Sequence, residues 1–373
     1  MTLLKLITTY QSVVTILDAK LRQLAACPEI RLHVASSFED PAETRRCAGD
    51  FHEVYIPRSI QLIGDIRAIV KLYRLIRKYR FDIVHTHTAK AGTVGAIAGA
   101  LAGVPVMHTY HGLPFFEGQH RAAFVLYRGI EVFLSRFRRA VFSQNRRDYE
   151  LLKALKGLRC PVYFEGNGVN AEEIGAGAKA HAADVKALFA DERMTHVLCI
   201  ARLEPVKHLE KVLDVMAFLR ERKVAADCII AGKGPLKSDL EREIEARGLA
   251  GCVSIVYSPY IHAIIARADM VILTSAKEGI PRGLMEAMAL SRPVVATDVL
   301  GTNELVVHDE TGFLVRFDEQ RELNAAIMKL VADKELRRRF GAAGRERIER
   351  EFDDRRAVEL WVGKYREIIN QKS

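Results

Sequence analysis

The sequence holds six cysteines, Cys27, Cys47, Cys160, Cys199, Cys228 and Cys252, with no CxxC pair and no regular spacing. A disulfide-stapled scaffold is thereby excluded, and a reducing compartment is the expectation. Cys199, Cys228 and Cys252 fall inside apolar runs and read as small buried hydrophobes. Long apolar runs are missing too. The longest uncharged apolar stretch, Val94–Met107, is about 14 residues against the roughly 20 that span a bilayer, so no transmembrane helix is expected. The opening MTLLKLITTYQSVV has a lysine inside its apolar run and no small-residue cleavage site, which argues against a signal peptide. Carboxylates are scarce in one half only. Through Gly168 there are 24 Lys/Arg against 14 Asp/Glu, a net of +10, and the remainder has 32 against 33, a net of −1. The formal excess of +9 thus lies in the first half and points to an anionic partner: nucleic acid, a phosphorylated ligand or acidic lipid.

What is present is ordinary globular material. With 49% hydrophobic and 28% charged residues, a disordered or collagen-like chain is excluded. At about 150 residues per domain, the length suggests two. Strand candidates in the first half are Leu3–Thr8, Arg31–Ala35, His52–Ile56, Asp82–Thr86, Pro105–Thr109, Ala140–Ser143 and Val162–Glu165. In the second half they are His196–Ala201, Asp227–Gly232, Val253–Tyr257, Met270–Thr274, Pro293–Thr297 and Phe313–Val315. Near-continuous apolar strands separated by helix-length segments imply parallel sheets covered on both faces, and the pattern occurs twice. Two doubly wound α/β domains are expected, with the boundary at the turn-rich Gly166–Asn170 and a flexible stretch at Gly175–Ala183. The last forty residues, from Asp333, read as charged helices. Such domains side by side leave a ligand cleft at the carboxyl ends of their strands.

The densest chemistry lies at Thr274–Met288, where a buried strand runs into a Gly/Pro turn and then a helix starting near Pro281. Free N–H groups of Gly283 and Leu284 at that helix's positive end would seat a phosphate or a sugar hydroxyl. Glu278 just before the helix and Glu286 within it can line one pocket. A cap and a solvated side chain are the plainer reading, yet Glu286 sits inside the apolar run Leu284–Leu290. Arg202 and Lys207 follow a strand, a rigid fork and a flexible point charge suited to a diphosphate, or else an exposed basic loop. Ala231-Gly232-Lys233-Gly234-Pro235 also follows a strand, and its glycines admit a ligand to the backbone or simply make a tight turn. His111 stands at the carboxyl end of a first-half strand, facing a ligand or structural. His85 and His87 share one strand face, which raises a metal site, but no carboxylate or cysteine partner has ligand spacing. Gly95, Gly99 and Gly103, four apart, read as a small-residue face packed closely on a sheet.

In this order the motifs resemble the retaining family 4 glycosyltransferases of the GT-B fold, over nearly the whole chain. EGIPRGLMEAMA (278–289) resembles that family's two-glutamate motif, ARLEPVK (201–207) its phosphate-gripping pair, and PVVATDVLGTNELV with ETGFLV its C-terminal signature. TTYQS, RSIQLIGDIRAIVKLYRLIRKYRFDIVHTHTAKAG, VPVMHTYHGLPFFEG and FSQNRRDYELL are similar to a bacterial capsule, O-antigen and exopolysaccharide assembly subgroup. The resemblance implies two Rossmann-like domains facing across a cleft. Residues 1–168 would form the acceptor side, 169–352 the nucleotide-sugar side, and 353–373 a C-terminal helix crossing back to the first domain.

It further implies a retaining transfer from a nucleotide-diphosphate sugar, a UDP-sugar such as a UDP-N-acetylhexosamine, to a lipid-linked acceptor. The nucleotide sugar is a substrate, with no cofactor and no divalent metal required. Arg202 and Lys207 would neutralise the diphosphate, Glu286 would bind the ribose, and Glu278 the sugar-ring hydroxyls. The backbone of Gly279, Ile280, Pro281, Arg282, Gly283 and Leu284 would hold sugar and phosphate, Gly234 would lie near the nucleotide, and His111 would reach the donor sugar. The leaving phosphate can take the acceptor proton, so no protein nucleophile is assigned. Three departures from the family pattern stand out. Thr9, Tyr10, Gln11 and Ser12 replace the glycine-rich loop after the first strand, with Gln11 and Ser12 expected on the acceptor side. His208 replaces the glycine after the phosphate lysine, and Gly301-Thr302-Asn303-Glu304 replaces a Gly-Gly pair before the late glutamate.

The first-half charge gains a candidate role. In Ile66–Arg80, Arg67, Lys71, Arg74 and Lys78 share one helical face, with Ile66, Ile69, Val70, Tyr73 and Ile76 on the other. Arg121–Arg139 mixes Phe124, Leu126, Phe133 and Phe137 with Arg121, Arg128, Arg136, Arg138 and Arg139. Such segments suit an anionic membrane surface, or are solvated faces over packed ones. The expected location is the inner face of the cytoplasmic membrane, peripherally bound. Two rivals remain: a UDP-sugar 2-epimerase on the same fold, which needs no acceptor, and a nucleic-acid-binding protein, for which no helix-turn-helix, zinc or aromatic RNA-binding signature is present.

Overall fold

The computed structural model describes residues 1–38, 47–115, 119–189 and 191–371. They form two compact units, Met1–Asn167 together with Asp354–Ser373, and Gly168–Asp353.

The first unit is built on seven parallel strands: β1 (Thr2–Thr9), β2 (Arg31–Ser37), β3 (Asp50–Glu53), β4 (Ile83–His87), β5 (Val106–Tyr110), β6 (Arg138–Ser143) and β7 (Val162–Phe164), ordered β3-β2-β1-β4-β5-β6-β7. β1 is buried at seven consecutive positions and β4 and β5 at every position, as strands covered on both faces must be. The second unit has six strands: β8 (Thr195–Ile200), β9 (Ala226–Ala231), β10 (Val253–Val256), β11 (Met270–Leu273), β12 (Val294–Thr297) and β13 (Gly312–Val315), ordered β10-β9-β8-β11-β12-β13. Both sheets are therefore doubly wound, as expected. Strand order reverses between β1 and β4 in one and between β8 and β11 in the other, and ligands of such sheets bind outside the carboxyl ends at these switch points.

The C-terminal helix Asp354–Asn370 packs in the first unit, where Val358, Trp361 and Tyr365 join the core beside Leu3 and Ile7. In the helix Ala89–Ala102, a Cβ at Gly95 would stand 2.4 Å from Thr86 and one at Gly99 2.2 Å from Val106, so the small face lies directly on the sheet.

Four expectations change. The third strand ends at Glu53 rather than Ile56, because Val54 and Ile56 leave the sheet to fill the core beside Leu72, and Ile56 N–H donates to Ser37 Oγ at 2.7 Å. The stretch expected to be flexible at Gly175–Ala183 begins inside a helix, Ala171–Ala180. Asn170 caps it by accepting from Glu173 N–H at 3.0 Å, and Ile174 and Ala178 bury one face. In the helix Leu62–Tyr79, Ala68, Leu72 and Ile76 face the core, whereas Ile66, Val70 and Tyr73, expected to share one apolar face with Ile76, are exposed. Leu62 and Ile63 extend this outward apolar stripe at helical spacing. Finally, Arg138 does not belong to a surface patch: it is buried and paired with Glu131 at 2.6 Å.

Candidate functional site

In the second unit the loops leaving β8 and β11, on either side of the switch point, are clipped together. Ala276 N–H donates to the Val206 carbonyl at 2.9 Å, and Thr274 Oγ1 donates to the carbonyls of Lys207 and His208 at 2.9 and 3.1 Å. The short 3₁₀ turn Pro205–Lys207 aims the lysine inward, with His208 taking a left-handed φ of 47° to leave it. Lys207 Nζ then donates to Glu278 Oε1 at 2.5 Å, and Ser275 Oγ donates to the same oxygen at 2.5 Å. The Lys207 and Glu278 side chains are 13% and 11% exposed, so this charged contact is largely sheltered from water. Arg202 has a different partner. Its side chain is 68% exposed and pairs with Glu204 Oε1 at 2.5 Å.

The turn Glu278–Pro281 leads into the helix Arg282–Ala289. Pro281 is the residue before the helix, one position earlier than a first helical residue, and its extended backbone turns the chain. One expectation fails here. The Leu284 N–H is not free, because it donates to the Pro281 carbonyl at 3.1 Å, closing the first turn as a tight i to i+3 bond. The turn is held from behind by Gly301, where a Cβ would stand 1.0 Å from the Gly279 carbonyl oxygen and where φ is +87°. Gly234 has a similar cause in packing. A Cβ there would stand 2.4 Å from the Leu203 carbonyl, in the loop that follows β8.

Glu286 is buried, as its apolar neighbours suggested. It accepts from Arg282 Nε at 2.8 Å and lies 3.5 Å from His262 Nε2 on the helix Ile261–Arg267. Burial alone would raise its carboxyl, but the bonded His262 and the Arg282 charge outweigh it and hold the group below the usual carboxylate range. Neither His262, 24 residues away, nor Ser275 as a second donor to Glu278 carries a signal in the sequence.

In the first unit, His111 follows β5, whose neighbour β4 borders the switch point. His111 Nδ1 lies 3.0 Å from Gln144 Oε1 and its Nε2 3.1 Å from His87 Nδ1. Burial, followed by the nearby Lys20 charge, pushes this imidazole down to about 3, so it is neutral at pH 7. His85 and His87 bond to Lys5 rather than to a carboxylate or cysteine. Burial lowers Lys5 well below the ordinary lysine value, against the attraction of Glu165. After β1, Thr9 caps a short helix by accepting from Ser12 N–H at 3.3 Å, with Gln11 exposed beside it. Phe116, Glu117 and Gly118, at the end of the stretch that begins at Val104, lie outside the described residues.

The sequence matches two family descriptions that together span most of it, Glycosyltransferase Family 4 over residues 14–173 and Glycosyl transferases group 1 over residues 182–347. It is 27% identical over 285 residues to the Escherichia coli UDP-Gal:alpha-D-GlcNAc-diphosphoundecaprenol alpha-1,3-galactosyltransferase, covering 75% of this chain and 74% of that protein. It is 23% identical over 330 residues to the capsular polysaccharide biosynthesis glycosyltransferase CapM of Staphylococcus aureus, covering 86% of each. Among solved structures, Anabaena HepE in complex with UDP superposes with a TM-score of 0.79 at 19% identity, covering 98% of this chain and all of that one.

Proposed function

Because the chain belongs to the glycosyltransferases, a family 4 domain followed by a group 1 domain on the GT-B fold, we propose that it moves a sugar from a UDP-sugar to a lipid-linked acceptor, with retention, in the assembly of a bacterial surface polysaccharide. The observation that supports this most is the joining of Lys207, Ser275 and Glu278 beside a helix start at the β8/β11 switch point. Cleavage of the sugar–phosphate bond builds negative charge on the diphosphate and oxocarbenium character on the ring. Lys207, with three N–H donors, can keep Glu278 while gripping a phosphate oxygen. Glu278 then faces the ring as a positioning carboxylate, and Arg202 adds a second, more exposed cation. These groups are worth most in the transition state, where the charge they meet is largest. Glu286, held ionised, is suited to accept from ribose hydroxyls. The acceptor hydroxyl passes its proton to the leaving phosphate as it attacks, so the step balances without a protein base. Gln11 and Ser12 are assigned to the acceptor side.

A peripheral position on an anionic membrane is part of the same reading. No helix among the described residues is long and apolar enough to cross a bilayer. Ile60, Leu62, Ile63 and Ile66 are 73, 76, 68 and 52% exposed, and a groove of about 630 Å³ is lined by Tyr55, Leu62, Ile63, Arg67 and Lys71. Apolar side chains beside basic ones are what an interfacial helix presents, each basic residue adding about 1 kcal/mol near anionic lipid.

The reading is tested by incubating the chain with UDP-, GDP- and ADP-sugars, first in a thermal-shift screen and then with a lipid-linked glycan. Stabilisation by a UDP-sugar and a product of unchanged anomeric configuration are expected. UDP release with an epimerised sugar and no acceptor would replace the transferase reading by the epimerase one. Vesicle co-sedimentation that ignores both anionic lipid and salt would remove the membrane.

A further inference from the structure

The contacts of His111 continue into a closed ring inside the first unit. Gln144 Nε2 donates to Glu165 Oε1 at 3.2 Å, and Thr109 Oγ1 donates to Glu165 Oε2 at 2.9 Å. His85 Nε2 lies 3.0 Å from Thr109 Oγ1. Lys5 Nζ closes the circle, 2.9 Å from His85 Nδ1 and 3.3 Å from His87 Nε2. Lys5 and Glu165 are both buried, and two arms of side chains join them. Trp361, from the C-terminal helix, adds its Nε1–H to Glu165 at 2.6 Å.

Chemistry fixes the direction of each bond. A carboxylate accepts, so Gln144 turns its NH₂ to Glu165 and its carbonyl to His111. His111 Nδ1 must then carry the hydrogen. A neutral imidazole has one N–H, so His111 Nε2 accepts and His87 Nδ1–H donates to it. His87 Nε2 in turn accepts from Lys5. On the other arm Thr109 commits its hydrogen to Glu165 and accepts from His85 Nε2–H, which leaves His85 Nδ1 to Lys5 and the Tyr365 hydroxyl at 2.6 Å. Every donor points from Lys5 toward Glu165.

We propose that Lys5 and Glu165 are positioning residues that act through His87 and Gln144 to hold His111 with Nε2 as an acceptor, so that it meets a hydroxyl of the ligand that donates. This rests on the reading that His111 touches the donor sugar. A ligand hydroxyl competes with the His87 N–H for the single lone pair of His111 Nε2, and a ligand group that only accepts finds no donor at His111.

The tautomers are read directly from two-bond ¹H–¹⁵N correlation spectra of the full chain labelled with ¹⁵N-histidine, without ligand. The expected pattern is Nδ1–H at His111 and His87 and Nε2–H at His85; any other pattern overturns the proposal and needs no variant. K5M/E165Q removes both ends together, so neither is left buried without the other, and at least half of His111 should lose the Nδ1–H form. T109V, equally buried but on the other arm, should leave His111 unchanged. A His111 signal unaltered in K5M/E165Q, or altered equally in T109V, overturns the positioning role. In the transfer assay K5M/E165Q should lower kcat/KM at least tenfold (about 1.4 kcal/mol) and add nothing when His111 is already alanine. If H111A itself keeps full kcat/KM, the donor contact falls, while the wild-type spectrum still decides the ring.

Discussion

Replacing Lys207 by alanine removes an ammonium that lies 2.5 Å from Glu278 Oε1 with only 13% of its side chain exposed. In so sheltered a place water cannot substitute for the lost charge as the diphosphate departs. Deleting one preorganised donor to a developing anion costs about 100- to 1000-fold in rate, about 2.7–4 kcal/mol. Arg202 is the internal comparison, because its side chain is 68% exposed and already paired with Glu204. Solvent screens it, and Arg202→Ala should cost about tenfold, roughly 1.4 kcal/mol. Glu278 keeps its bond from Ser275 in Lys207→Ala, so its carboxylate is not orphaned and the melting temperature should fall by no more than a few degrees. The assay is kcat/KM for UDP release with the donor identified in the screen and saturating acceptor, both variants measured beside wild type. A Lys207→Ala loss below about tenfold, or an Arg202→Ala loss larger than that of Lys207→Ala, would refute the argument from burial.

Three further outcomes are expected. Burial pushes His85, His87, His108 and His111 down. The unfolded chain therefore takes their protons first, so their contribution to stability is full above about pH 7 and declines as pH falls below about 6.5, by up to about 1.4 kcal/mol per pH unit for each histidine. Urea unfolding followed by the single tryptophan, Trp361, between about pH 7.5 and 5 checks this, and a flat profile contradicts it. Glu131→Gln leaves Arg138 buried without its counter-charge, and should cost about 3–5 kcal/mol of stability in the same measurement. Gly301→Ala sets a Cβ against the Gly279 carbonyl and should displace the Glu278 turn, lowering kcat/KM more than it lowers the melting temperature; wild-type kinetics would show that the turn yields freely.

Much of the fold was legible because its strands are buried on both faces and so read as continuous apolar runs. Each of the thirteen candidate runs overlaps a strand, and the largest shift, at β3, occurs where an edge strand is short and its flanking Val54 and Ile56 are as buried as a strand would be. The helix Leu62–Tyr79 was harder, since it carries two apolar stripes and periodicity alone does not say which faces the sheet. At the β8/β11 loops, the sequence marked Lys207, Glu278 and Glu286 by their places after strands and within an apolar run. It could not give the contact of Lys207 with Glu278, 71 residues apart, nor the Leu284 amide's commitment to Pro281. The ring around His111 was less legible still. Lys5 was visible as a lone charge in an apolar run, but its partner His85 is set by the register of β1 on β4, 80 residues away.

That ring also changes what the first-half charge means. A net of +10 suggests a field spread over a surface, yet Lys5, Lys20 and Arg138 are buried, and Lys90 is paired with Asp65 at 2.6 Å. These cations serve the interior. In the second unit, exposed arginines are commonly matched to carboxylates, as Arg193 is to Asp191, Arg316 to Glu322, Arg338 to Glu335 and Arg345 to Glu349. Such pairs add little stability but cancel the far field. The helix Leu62–Tyr79 differs: among the described residues Arg67, Lys71, Arg74 and Arg77 have no carboxylate within ion-pair distance, and they flank the exposed Leu62, Ile63, Ile66 and Val70. The uncovered apolar stripe is the costly part in water, the like charges beside it repel one another only weakly, and one contact, with an anionic surface that has an apolar interior, relieves both. The case for an anionic partner therefore rests on this helix and the loop before it, and reversing Arg67, Lys71 and Arg74 there should abolish vesicle binding, whereas reversing three of the paired arginines of the second unit should not.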